Sequence, residues 1–191
     1  MDRFASDSEQ KKRLIEIIRK VSYREGDFTL ASGQKSRFYV NLKMTTLHPE
    51  GATLIGQMMT DQIKKERIKI EAVGGLTLGA DPIATAVSIA AFQKGIHWPA
   101  FIVRKTVKDH GTQNPIEGAE SFHPGTRVMI LEDVSTTGGS SLEAVEKVRE
   151  AGFLPVGVFT VVDREQGAAD RIRAAGLPYL SLCRLSEIQN F

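Results

Sequence analysis

Between Arg127 and Ala151 the sequence changes character twice, and this passage constrains the fold more than any other. Arg127-Val-Met-Ile-Leu131 is an unalternating apolar run. The adjacent acids Glu132 and Asp133 follow it, and residues 135–141 are all Ser, Thr or Gly. A helix is expected over 140–151, closed by Gly152. A strand that alternates shows one face to water, whereas a continuous apolar strand is covered on both faces. The run therefore belongs in a parallel sheet with helices on either side.

The same rhythm repeats from residue 68 onward. Strands are expected over 68–73 (stopping at Gly74-Gly75), 99–103, 156–162 and 178–182, with a short helix over 168–175. Asp81-Pro82 has the form of an N-cap and a first-turn proline, opening a helix to about Phe92. Before residue 68 the pattern is different. Ser6 and Glu9 have capping-box spacing, and Leu14, Ile15, Ile18 and Val21 recur at helical intervals until Gly26. Two short extended pieces, 28–30 and 36–43, flank Ser32-Gly33, and Pro49 opens a helix ending in Lys64, Lys65 and Arg67. The expected class is α/β: one domain with a helix and small subdomain over about 1–48 and a parallel core over about 49–191.

A chain of 191 residues buries enough core to stand without disulfides or structural zinc. Its one cysteine, Cys183, has no partner within the chain. With 25 basic and 23 acidic residues the net charge is +2, too small a bias to argue for nucleic acid. The first residues lack the apolar core of a signal peptide, and Pro82–Phe92 is about half the roughly 20 residues that span a bilayer. A cytoplasmic setting without membrane contact is expected.

Ligands of open parallel sheets bind at the carboxyl ends of strands. Four unusual segments fall there. In the first, glycines let backbone N–H groups converge on an anion while hydroxyls add donors. Each N–H bond to a charged phosphate is worth roughly 1.5–3 kcal/mol, against about 0.3–1 for the helix dipole, so the N–H cradle dominates. The carboxylates beside it suit sugar hydroxyls or a metal. The bland alternative is a helix capped by Asp133 or Ser135. The segment lacks the Gly-Lys-Ser/Thr ending of a Walker loop and is not Gly-x-Gly-x-x-Gly.

The second segment, Arg104 to Gly111, leaves a strand with three cations and a histidine (Arg104, Lys105, Lys108, His110) and enters a long polar loop. It reads either as a mobile anion site or as a solvated basic loop. The third, Val73 to Pro82, is a glycine-rich stretch that could be no more than a turn into a helix. The fourth, Asp163-Arg164-Glu165, offers a planar guanidinium suited to a carboxylate, or a surface arginine paired with its neighbours. Trp98, His97, His48 and His123 show no metal spacing or mechanism.

Leu131-Glu-Asp-Val-Ser-Thr-Thr-Gly-Gly-Ser140 resembles the phosphoribosyl pyrophosphate (PRPP) signature of type I phosphoribosyltransferases. Arg104-Lys-x-x-Lys108-Asp-His110-Gly resembles the catalytic loop of the orotate phosphoribosyltransferases, and Phe28 to Tyr39 resembles their hood over the base. The resemblance implies the type I fold and transfer of ribose 5-phosphate from PRPP to orotate, giving orotidine 5′-monophosphate and diphosphate in pyrimidine synthesis. It implies Glu132 and Asp133 on the ribose hydroxyls, and Val134, Ser135, Thr136, Thr137, Gly138, Gly139 and Ser140 around the 5-phosphate. Arg104, Lys105, Lys108 and His110 would hold diphosphate. Lys108 and Asp133 carry the catalytic roles, and Thr136 and Arg164 face orotate. It further implies Mg²⁺ carried mainly by PRPP without an assigned protein ligand, and a homodimer sharing its active sites. Some relatives carry lysine where Ala31 and Gly79 stand. Two rivals remain: a phosphoribosyltransferase for another base, which would not need Arg164, and a PRPP-binding sensor, which would not need the cationic loop.

Overall fold

The structure, a computed structural model, describes residues 6–29, 35–105 and 115–191. In chain order the elements are α1 (Asp7–Ile17), β1 (Tyr23–Thr29), β2 (Lys35–Val40), α2 (Lys43–Thr46), α3 (Pro49–Lys65), β3 (Ala72–Leu76) and α4 (Asp81–Gln93). There follow β4 (Ala100–Val103), β5 (Ile116–Glu117), β6 (Arg127–Ser135), α5 (Gly139–Glu150), β7 (Leu154–Asp163), α6 (Ala168–Ala174), β8 (Tyr179–Arg184) and α7 (Leu185–Gln189).

Six strands form one sheet in the order β5-β4-β3-β6-β7-β8. All neighbours in it are parallel except the short β5, which pairs antiparallel with β4. The unalternating runs are explained by cover on both faces. Val128 and Ile130 pack with Ala144, Val145, Val148 and Ile172 on the α5–α6 side. Met129 and Leu131 pack with residues of α1, α3 and α4 on the other side. Strands β1 and β2 form a separate antiparallel hairpin.

Chain direction across the sheet reverses beside β3. From β3 the chain moves outward to β4, then returns to β6 on the other flank and continues to β7 and β8. The connections leaving β3 and β6 diverge, which opens a crevice at their carboxyl ends.

Three local expectations are corrected. Strand β3 starts at Ala72 and runs through Gly74 and Gly75 rather than stopping there. A Cβ at Gly74 would lie 2.3 Å from the Phe101 carbonyl oxygen, and one at Gly75 would lie 2.2 Å from that of Leu131. The glycines permit close strand packing and are not a turn. Asp81 does not cap α4. The N-cap is Ala80, and the Asp81 carboxylate instead accepts the Thr77 hydroxyl at 2.7 Å. The first helix does not reach Gly26: it ends in a single π-type turn over Ile18–Ser22, and Gly26 lies within β1.

Elsewhere the local chemistry is as expected. The Ser6 hydroxyl accepts from the Glu9 N–H at 3.3 Å, and Pro49 occupies the first turn of α3. Trp98 is buried, with His97 set edge-on to Phe92 at 5.3 Å. Cys183 is buried too, and burial pushes its thiol up to about 12, which suppresses thiolate chemistry. No helix among the described residues is long and apolar enough to cross a membrane.

The Gly75 packing is directly testable. Gly75→Ala forces a methyl against main chain that cannot rotate away, so a loss of about 1–3 kcal/mol is expected in a urea unfolding curve. An unchanged midpoint would show that the strands separate more easily than this geometry states.

Candidate active site

The sheet brings three strand ends together at the crevice. On β6 the two-residue period of a strand sends the adjacent acids to opposite faces. Glu132 turns toward α5 and accepts the Ser141 hydroxyl at 3.2 Å. It is only 7% exposed. Asp133 turns the other way, where its Oδ1 accepts the Val134 N–H at 2.8 Å and its Oδ2 lies 3.7 Å from the Lys43 ammonium. The side chains leave the strand on opposite faces, yet their carboxyl groups stay close enough to interact by charge and through a side-chain hydrogen bond.

Burial, and then the neighbouring Asp133, raise the Glu132 carboxyl to about 8. The shift favours the protonated form in the free protein. In that form it can both donate to and accept from a hydroxyl.

After Ser135 the chain turns through Gly138, whose φ of +76° is a left-handed conformation that suits glycine, and enters α5 at Gly139. Gly138 is the N-cap, not Asp133 or Ser135, and no side chain caps the helix. The first-turn N–H groups are thus left to a ligand. Ser135 is buried, and its hydroxyl has no partner among the described residues. Thr136 and Thr137 lie on the turn between β6 and α5, and Gly139 and Ser140 open the helix.

The loop after β3 meets this site from the opposite side. A Cβ at Gly79 would lie 2.7 Å from Asp133 Oδ1, so the main chain of Gly79 sits directly against that carboxylate. The Thr77–Leu78 peptide beside it is cis.

At the end of β7, the Arg164 N–H donates to the Ser135 carbonyl at 2.9 Å, fixing this residue to the start of the hydroxyl loop. The guanidinium lies over the Phe38 ring of β2, 5.1 Å from its centroid. Its Nε is buried without a partner among the described residues, and burial lowers the pKa. It pairs with neither Asp163 nor Glu165. The Asp163 carboxylate accepts the Glu165 N–H at 2.8 Å, and Glu165 is held by Ser186.

At the end of β4, the Arg104 guanidinium pairs with Glu117 of β5, and Lys105 is exposed. The Arg104 N–H donates to the Pro115 carbonyl at 2.8 Å. The Lys147 ammonium of α5 donates to the carbonyls of Arg104 and Lys105 at 2.7 and 2.8 Å. These bonds fix both described ends of the cationic segment beside α5. Lys108 and His110 lie outside the described residues, as do Ala31, Ser32 and Gly33.

Glu132, Asp133, Ser135, Gly138, Gly139 and Arg164 therefore meet at one crevice, with Gly79 against it. The sequence reading left Lys43, Glu117 and Lys147 unassigned. Lys43 closed the extended piece expected over 36–43, but β2 ends at Val40 and Lys43 opens α2. The other two are ordinary charges on exposed elements, and only the fold places them.

An acid pair, an uncapped hydroxyl-rich helix start and a reversed strand order beside them fit the type I phosphoribosyltransferase arrangement that the sequence resembles. No protein-family model matches the chain. The orotate phosphoribosyltransferase of Bradyrhizobium diazoefficiens is 49% identical over 185 residues, covering 95% of this chain and 97% of that protein. Among solved structures, the orotate phosphoribosyltransferase of Mycobacterium tuberculosis in complex with Fe(III) dicitrate matches with a TM-score of 0.83 at 45% identity, covering 94% of this chain and 98% of that one. The same enzyme in complex with PRPP matches at 0.75 and 38%, covering 94% and 91%. The chain belongs to the orotate phosphoribosyltransferase family.

The raised Glu132 carboxyl makes a signed prediction. Below about pH 4.5 the group is neutral whether the chain is folded or not. Between 4.5 and about 8 the unfolded chain releases the proton while the folded one keeps it, so its contribution to stability falls as pH rises. Glu132→Gln cannot titrate. Its urea midpoint relative to wild type is expected to improve from pH 5 to pH 8, and a constant difference would remove the buried acid from the account.

Proposed function

We propose that this chain transfers the 5-phosphoribosyl group of PRPP to orotate, giving orotidine 5′-monophosphate and diphosphate in pyrimidine nucleotide synthesis. The observation that carries the assignment is Arg164. A guanidinium half-withdrawn from water, stacked on Phe38 and with its Nε unpaired, calls for a planar anion at the strand end. Orotate offers one in its carboxylate, and a neutral purine does not.

In this reading Val134 to Ser140 hold the 5-phosphate through the N–H groups of the loop and of the α5 start, with Thr136 also toward orotate. Glu132 and Asp133 take the ribose hydroxyls, and the main chain at Gly79 lies beside them. The ring nitrogen of orotate attacks the anomeric carbon as diphosphate departs, so no covalent enzyme intermediate is needed. Negative charge grows on the leaving group while the sugar carbon becomes cation-like. Arg104, Lys105, Lys108 and His110 supply the opposing positive charge, Lys108 chief among them.

Mg²⁺ would arrive on the diphosphate, as this cation prefers phosphates and water to an all-protein cage. The acceptors at the β6 end fit that arrangement: Asp133 is the carboxylate at hand, and no cluster of three His, Cys, Asp or Glu among the described residues could hold a metal alone. When bound, the ion offsets charge on the leaving diphosphate.

We read the chain as one catalytic domain, hood over about 1–48 and core over about 49–191, acting in the cytoplasm as a homodimer with shared sites. The apolar surface of α2 to α4 supports a second copy: Met44, Leu47, Ile89 and Phe92 are all more than half exposed. Leu78, in the loop beside Asp133, is also exposed.

Loss of orotate absorbance on adding PRPP and Mg²⁺ tests the activity. Arg164→Ala is expected to raise the orotate KM at least tenfold, about 1.4 kcal/mol, with little change in the KM for PRPP. Equal losses for both substrates would break that role. For the cationic loop, Lys108→Ala should cut kcat about 100-fold or more while PRPP affinity by calorimetry is kept. At orotate concentrations below the raised KM, mixing Arg164→Ala with Lys108→Ala should give more activity than the sum of the two alone if subunits share sites.

A further inference from the structure

Arg164 belongs to a closed circuit of contacts, and one link lies far from the expected site. Glu165 adopts φ +58°, a left-handed conformation uncommon for a residue with a side chain, directly after Arg164. Such conformations persist where surrounding contacts over-determine them. Two hydrogen bonds do so here: the Glu165 carboxylate accepts both the Ser186 N–H at 2.9 Å and the Ser186 hydroxyl at 3.1 Å. Ser186 stands in the first turn of α7, and Asp163 closes the other side of the same turn through the Glu165 N–H.

Helix α7 is itself attached to the hood side of the pocket. Arg19 donates to the carbonyls of Ile188 and Gln189 and lies 5.8 Å from the centroid of the Tyr23 ring. Tyr23 stacks on Phe38 with centroids 6.2 Å apart, and Phe38 carries the Arg164 guanidinium. The guanidinium is thus supported through its face by the hood and through its backbone by α7. Both supports converge on the C-terminal helix.

We infer that Glu165, latched to Ser186, is a positioning residue for substrate specificity: it aims Arg164 at the carboxylate of the base without touching the base itself. The inference rests on the proposed role of Arg164. Phosphate and diphosphate binding lie on other strand ends, and the main-chain bond from Arg164 to Ser135 that links them to this turn does not involve the Glu165 side chain. A chain lacking it keeps its catalytic groups and loses alignment of one.

A double-mutant cycle read by steady-state kinetics tests this. Wild type, Glu165→Ala, Arg164→Ala and the double variant are compared for the KM of each substrate and for kcat. Alanine keeps the backbone demand of a non-glycine residue, so Glu165→Ala isolates the side chain. It is expected to raise the orotate KM about tenfold, with the PRPP KM and kcat within about twofold. The double variant is expected to be no worse than Arg164→Ala alone. Glu165→Gln should restore most of the lost affinity, since its amide oxygen accepts the Ser186 N–H and its amide nitrogen can donate to the hydroxyl. If Arg164→Ala leaves the orotate KM unchanged, the substrate reading fails and the latch with it. If Arg164→Ala raises it but Glu165→Ala does not, or the two effects add, the latch alone is overturned. Parallel rises in both substrates' KM with a lowered melting temperature would show a structural role and overturn it equally.

Discussion

Placing two carboxyl groups beside a cup for phosphate is electrostatically unfavourable, and the site depends on how β6 manages it. The two-residue period of the strand sends Glu132 beneath the hydroxyl loop toward α5 and Asp133 to the other face. Burial and the neighbouring Asp133 favour the protonated form of Glu132, while Asp133 meets the Lys43 ammonium and the Val134 N–H. Negative charge near the cup is thereby reduced before any ligand arrives. The anion cradle can then act through oriented N–H groups without opposing two full charges.

Reading the core from sequence succeeded where burial on both faces leaves a local mark. The apolar runs that became β4, β6, β7 and β8 were visible because cover on both faces removes alternation. The region 68–76 was displaced for a physical reason. Gly74 and Gly75 read as a stop by propensity, yet they are glycine because the Phe101 and Leu131 carbonyls come within 2.3 and 2.2 Å of where a Cβ would be. Strand β5, two residues long, had no pattern to detect and exists through its pairing with β4.

The site divides the same way. Residues at strand ends carried their own signal: the acid pair and hydroxyl run of 132–141, and Asp163-Arg164 closing an apolar strand. What was illegible is the support around them. Glu117 against Arg104, Lys147 on two main-chain carbonyls, and Ser186 holding Glu165 join residues distant in the chain. Each is a common polar residue on an exposed element, so neither type nor spacing distinguishes it. Gly79 is an intermediate case. Some relatives carry lysine there, and in this chain main chain lies against Asp133 in place of a side chain.

The charged groups of the free site differ in how easily each can change partner. Arg104 with Glu117 and Lys43 with Asp133 are partly solvated pairs, of the kind worth about 0–1 kcal/mol, so exchanging them for an arriving polyanion costs little. These groups can serve any phosphorylated sugar. Among the described residues Arg164 has no such partner to release; its Nε is already desolvated and unpaired there. An anion of the right shape there satisfies a donor that otherwise remains unmatched, while a neutral base leaves it so. In the proposed reading, discrimination between bases rests on Arg164, whose Nε is buried without a partner among the described residues, and on the contacts that aim it.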